Sequence, residues 1–157
     1  MERVPMTNEG YHKLSDRLKH LKEVARPQNA RDIETAREHG DISENAEFHA
    51  AKERQAFIAG SIIELEDKLA RAEIINPSDL TGTKIFFGAT VTLFEVDREE
   101  EVRYQIVGQD EADLAAGKIS IGSPIARALI GREQGDEVVV KTPGGERTYE
   151  ISDVEFI

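Results

Sequence analysis

Two carboxylates three residues apart, Asp41 and Glu44, stand in the run Arg37-Glu38-His39-Gly40-Asp41-Ile42-Ser43-Glu44-Asn45-Ala46-Glu47. Carboxylate oxygens suit a hard divalent cation such as Mg²⁺, and a pair can take two of its ligand positions. Two protein ligands do not close a shell, so further oxygens must come from a second protein or a nucleic-acid phosphate. A structural reading competes. Asp-x-x-Glu is also a capping box, in which Asp41 accepts from the Glu44 amide and Glu44 reaches back to the Asp41 amide. Acid groups also favour a helix N-terminus through its dipole. His39 and His49 could add imidazole ligands, or be ordinary exposed histidines.

The segments on either side must present these acids. Thr7 is an expected N-cap, and Leu14, Leu18, Leu21 and Ala25 follow at steps of four, three and four, a coiled-coil seam. Pro27 removes a helix hydrogen bond and predicts a kink near Val24. Ala30, Ile33 and Ala36 resume the apolar stripe. Gly40 suits the left-handed conformation that ends a helix. Beyond the turn, Ala51, Ile58, Leu65 and Ala72 recur at steps of seven, interleaved by Gln55, Ile62 and Leu69. This second helix is expected to run to about Ile75, where Asn76-Pro77 stops it. A short connection makes the two helices antiparallel, with the acids at the far end of a rod about 45 Å long at ~1.5 Å per residue.

From Ile85 the period changes to two. Thr90 to Val96 and Val102 to Val107 read as strands joined by an acidic hairpin, Asp97 to Glu101. Ser123-Pro124 opens a short helix, Ile125 to Ile130, closed by Gly131. Glu137 to Thr142 and Arg147 to Ile151 flank the hairpin signal Pro143-Gly144-Gly145. The expected fold is α+β: an antiparallel two-helix coiled-coil hairpin over 1–75, a boundary at 76–84, and a small antiparallel β-rich globular domain over 85–157.

The chain has 157 residues, and no stretch is long and apolar enough to be read as a membrane span. With no cysteine, disulfides and thiolate metal sites are excluded. A net charge of −11 argues against non-specific binding to duplex DNA. The charge is uneven: residues 1–75 carry a net −3 in a mixed-sign surface, residues 76–157 a net −8. The first part can still touch nucleic acid locally. A cytoplasmic location is expected.

The run Ala36 to Ala51 resembles the coiled-coil tip of the Gre transcript cleavage factors. Phe87-Gly88-Ala89-Thr90-Val91, Ser123 to Gly131, Gly135-Asp136 and Lys141 to Gly145 resemble that family's C-terminal domain, which is FKBP-like. The resemblance spans essentially the whole chain in the family's order. It implies a protein that binds bacterial RNA polymerase through its globular domain and inserts the hairpin through the secondary channel. There the tip pair, Asp41 and Glu44, helps hold a Mg²⁺ ion and its attacking water beside the polymerase's own metal. The polymerase then hydrolyses the 3′ end of the backtracked nascent RNA by two-metal chemistry. The chain is thus expected to be a cofactor, not an enzyme, and a monomer with no membrane partner. Arg37, Asn45, Lys52 and Arg54 fall where the family contacts RNA or polymerase near the tip, and Ser123 and Pro124 where it docks. Phe48 stands where the family often carries tyrosine, so any hydroxyl bond is lost. Two alternatives remain: a channel-binding inhibitor of polymerase, and a peptidyl-prolyl isomerase, for which this half of the chain has few aromatic residues.

Overall fold

The computed structural model describes residues 2–41 and 44–157, so Ile42 and Ser43 of the acidic run lie outside the described residues. The elements are β1 (Val4–Thr7), α1 (Asn8–His20), a π turn (Leu21–Ala25), α2 (Arg26–Arg37), α3 (Ala46–Arg71), β2 (Ala72–Ile75), β3 (Thr90–Glu95), β4 (Glu100–Val107), β5 (Lys118–Ser120), α4 (Pro124–Leu129), β6 (Glu137–Thr142) and β7 (Gly145–Glu155). The fold is α+β. One compact unit holds Tyr11–Ala72; the other combines Arg3–Gly10 with Glu73–Ile157.

In the helical unit, α2 and α3 pack as an antiparallel hairpin. Lys22 pairs with Glu66 at 2.8 Å, and Asn29 Nδ2 donates to the Ala51 carbonyl at 2.9 Å. The expected seven-residue repeat is the buried face: Ala51, Ile58 and Leu65 of α3 are buried, as are the interleaved Ile62 and, just past the helix end, Ala72. Ile58 and Ile62 pack on Ala25, Leu18 and Leu21. Each such isoleucine contributes about 1.5–3 kcal/mol by leaving water.

One turn before Pro27, around Val24, where a kink is expected, the helix has a π turn, in which the Arg26 N–H donates to Leu21 O five residues back. A π turn adds one residue to a helical turn, so the seam beyond it slips by one position. The buried positions become Asn29, Ile33 and Ala36, while Ala30, expected in the stripe, is exposed. A buried asparagine on a helix seam lowers stability relative to an apolar residue but fixes register. Asn29→Ala removes its bond to Ala51 O, at an expected cost of about 1 kcal/mol. Chemical denaturation of the full chain checks this, and an unchanged midpoint would show that Asn29 holds nothing.

The second helix ends at Arg71, short of the expected Ile75. Residues Ala72–Ile75 are a strand that pairs with β1 in a two-stranded sheet. Backbone pairing with Val4–Thr7 replaces the last helical turn, a tertiary preference that the heptad pattern does not carry.

The other sheet has five strands in the order β5-β4-β3-β7-β6. β3, β4, β6 and β7 pair antiparallel, as expected; β5, unforeseen in the sequence, lies parallel to β4. Alternation along β3 buries Val91, Leu93 and Glu95. The core joins Val91, Leu93, Ile106 and Ile151 to Ala126 and Leu129 of α4. Ser123 caps α4 by accepting from the Ala126 N–H at 3.3 Å, and Pro124 takes the first turn. Gly145, at φ 119°, turns β6 into β7.

One carboxylate ties β1 and the first turn of α1 to this unit. Glu111 accepts from the Thr7 N–H at 3.0 Å, the Thr7 hydroxyl, and the Gly108 N–H at 2.8 Å. Thr7 Oγ1 in turn accepts from the Gly10 N–H at 3.1 Å, the N-cap expected of it. A Cβ at position 10 would lie 1.9 Å from Glu111 Oε1, so any larger residue there must displace the Glu111 carboxylate.

Candidate functional site

The turn between α2 and α3 carries Asp41 and Glu44, both exposed. They line a shallow recess of about 480 Å³ with His39, Asn45, Ala46 and Glu47. The turn begins where α2 ends at Arg37, with Glu38, His39 and Gly40 donating N–H bonds to Thr35, Ala36 and Arg37 carbonyls. Gly40 has φ 109°, the left-handed region expected at this helix end.

The capping box expected of Asp41 and Glu44 is not the start of α3. That helix begins at Ala46, and its N-cap is Asn45, in extended conformation, whose Oδ1 accepts from the Phe48 N–H at 3.0 Å. Asparagine ranks with aspartate as a cap. Here it gains a second bond that aspartate cannot make, from Nδ2 to the Ala36 carbonyl at 2.5 Å. Capping of α3 therefore does not account for the acid pair.

Among the described residues, Asn45 links to Ala36 across the turn, and the Arg37 guanidinium lies 5.8 Å from the centroid of the Phe48 ring. His39 Nε2 stands 3.8 Å from Glu47 Oε2. The latter two are long and their charged groups exposed, so each is worth only about 0.5–1 kcal/mol. Phe48 thus packs under a cation, a use of the ring that needs no hydroxyl. His49 makes an edge contact with Phe48 at 5.8 Å between centroids.

Of the cations expected near the tip, Lys52 is exposed on α3 and donates to Gln55 at 2.8 Å. Arg54 is exposed on the same helix. At ~1.5 Å per residue they lie about 10 and 14 Å along the axis from Asn45. Ser123 borders a separate recess of about 480 Å³ with Gln109, Ser120, Ile121, Gly122 and Arg127; Pro124 beside it is exposed. Asn45's bridging role leaves no local signal, because its second partner is nine residues back on another helix.

The donor set at the tip is all oxygen apart from His39, which fits Mg²⁺ rather than a softer metal. Among the described residues, no group of three or more His, Asp or Glu side chains is placed to hold a metal. An ion at the tip would need outside ligands. A helical hairpin with an exposed acid pair on its turn, joined in one chain to a separate sheet unit, has the build of an accessory factor.

Comparison with known proteins gives that class a family. Residues 4–74 match the family described as transcription elongation factor, N-terminal, and residues 80–156 the one described as transcription elongation factor, GreA/GreB, C-term. The chain is 59% identical to the transcription elongation factor GreA of Phenylobacterium zucineum over all of both chains. It is 58% identical to that of Syntrophotalea carbinolica over 98% of each. Among solved structures, it is similar to the GreA factor homolog 1 of Thermus thermophilus: 29% identity, 98% and 99% of the two chains covered, TM-score 0.44. The chain belongs to the GreA/GreB family of transcription elongation factors.

Proposed function

We propose that this chain lends Asp41 and Glu44 to bacterial RNA polymerase and so stimulates cleavage of the 3′ end of backtracked nascent RNA. It is a GreA-type elongation factor that acts through the polymerase's secondary channel, and a cofactor to the polymerase's own hydrolysis rather than an enzyme. The observation that carries the reading is the exposed acid pair on the turn beside Asn45, the residue that takes the N-cap of α3.

Each part of the chain has a task in this reading. The α2–α3 hairpin is a stiff carrier, since Ile33, Ile58, Ile62 and Leu65 fill its seam. α3 alone spans 26 residues, about 39 Å at ~1.5 Å per residue. At the tip, Asp41 and Glu44 would hold Mg²⁺ together with oxygens of the polymerase and the RNA. When bound, such an ion lowers the pKa of its water and neutralises charge on the scissile phosphate. The carboxylates orient that water and leave the rest of the shell to the partner. Arg37, Lys52 and Arg54 supply positive charge along the hairpin for the transcript's phosphates. The sheet unit docks through the start of α4, at Ser123 and Pro124. Its five strands around one short helix support the expected FKBP-like fold. The factor works as a monomer.

The test compares RNA alone with RNA held in a stalled, backtracked polymerase complex, at the same Mg²⁺ and protein concentrations. Stimulated cleavage is expected only in the complex. Mg²⁺-dependent hydrolysis of free RNA by the purified chain would overturn the assignment, because a two-carboxylate site should be unable to act alone.

A further inference from the structure

We infer that Asn45 is a positioning residue for the acid pair, holding the turn closed from both sides with one side chain. The inference rests on the cleavage role proposed above. Oδ1 accepts from the Phe48 N–H at the start of α3, and Nδ2 donates to the Ala36 carbonyl near the end of α2. The end of α2 and the start of α3 thereby meet at a single amide. In the chain, Asp41 stands four residues before Asn45 and Glu44 directly before it.

The chemistry explains why an amide is needed. A cap requires an acceptor, which aspartate or serine also provides. The bond to Ala36 requires a donor on the same group at the same time, and among the short side chains that favour the N-cap only asparagine offers a fixed acceptor and a fixed donor. Asn45 is partly buried, and its bond to Ala36 is shorter than the contacts of Arg37 with Phe48 and of His39 with Glu47, whose charged groups are exposed. The Ala36 carbonyl also accepts from the His39 N–H at 3.3 Å, so the clamp and the helix end share one atom. Losing the Nδ2 arm should loosen the backbone that leads into Asp41 without unwinding α3. A misplacement of about 1 Å in such a group costs about a hundredfold in rate.

Asn45→Ser separates the two arms, because serine keeps the cap and cannot bridge to Ala36. In the full-length protein, amide hydrogen exchange at His39 and Gly40 is expected to rise about tenfold, with Phe48 protection unchanged. At saturating factor, stimulated cleavage should fall about tenfold to a hundredfold. The factor concentration giving half-maximal effect should stay at the parental value, and the Mg²⁺ concentration needed should rise. Unchanged exchange at His39 and Gly40, or parental cleavage, would overturn the inference. Weaker binding of the factor with unchanged exchange would instead make Asn45 a direct contact. Asp41→Asn run beside it tells the two claims apart. If Asp41→Asn is inactive while Asn45→Ser is parental, the positioning role alone fails. If Asp41→Asn is itself parental, the cleavage role fails and takes the inference with it.

Discussion

Asp41→Asn and Glu44→Gln are each expected to lower stimulated transcript cleavage about 10²- to 10³-fold, the usual loss when one charge-stabilising group is removed. Stability should stay within about 0.5 kcal/mol of the parent, as for most exposed substitutions. The structure sharpens this contrast. Asn45, not Asp41, is the N-cap of α3, so neutralising Asp41 leaves the start of that helix intact. Both replacements preserve shape and hydrogen-bonding capacity while removing the negative charge that a hard cation needs. The measurement is cleavage rate in a backtracked complex at saturating factor, beside the unfolding midpoint of each variant. A variant that unfolds early but cleaves normally would reverse the assignment, making the pair structural.

The second large effect concerns stability. Glu111→Ala is expected to cost about 3 kcal/mol, because it strips the acceptor from three donors at once, two of them on the buried Thr7. Gly10→Ala should damage the same clamp from the other side, since its Cβ would occupy the place of the Glu111 carboxylate. The two substitutions remove one shared set of bonds, so the double variant should lose clearly less than the sum of the single losses. Calorimetric unfolding of the four proteins completes the cycle. Strict additivity would mean that Glu111 and Gly10 stabilise the fold independently. The clamp also bears on dissection: a fragment starting at residue 76 lacks Thr7 and Gly10, so Glu111 would lose two of its three donors. Fragments meant to isolate docking should therefore retain Arg3–Gly10.

What the sequence could and could not disclose follows from the range of each interaction. The heptad of α3 was legible because Ala51, Ile58 and Leu65 repeat within one helix and Ala72 follows just past its end, and all four are buried. The stripe of the first helix of the hairpin was legible at Ala25, Ile33 and Ala36, all buried. Just beyond the π turn, period counting placed Ala30 where Asn29 lies. The ends of α3 were misplaced for a different reason. At its start, Asp-x-x-Glu matches a capping box locally, but Asn45 has a partner on α2 that no local pattern contains. At its end, Ala72–Ile75 leaves the helix to pair with β1, a contact set some seventy residues away in the chain. The exposure of the acid pair was legible because neither residue suits a core. The Glu111 clamp was not, since its partner Thr7 is 104 residues distant.

The central claim is that chemistry resides in the two acids and docking elsewhere, and a competition experiment reaches it most directly. A backtracked polymerase complex receives a fixed, saturating amount of the parent protein and increasing amounts of the doubly neutralised Asp41→Asn/Glu44→Gln variant. If the account holds, cleavage falls in proportion to the parent's share of total factor and ends at the unstimulated rate, because the variant docks as well and contributes nothing. Cleavage that persists at the parent's full rate under a large excess of the variant would contradict it.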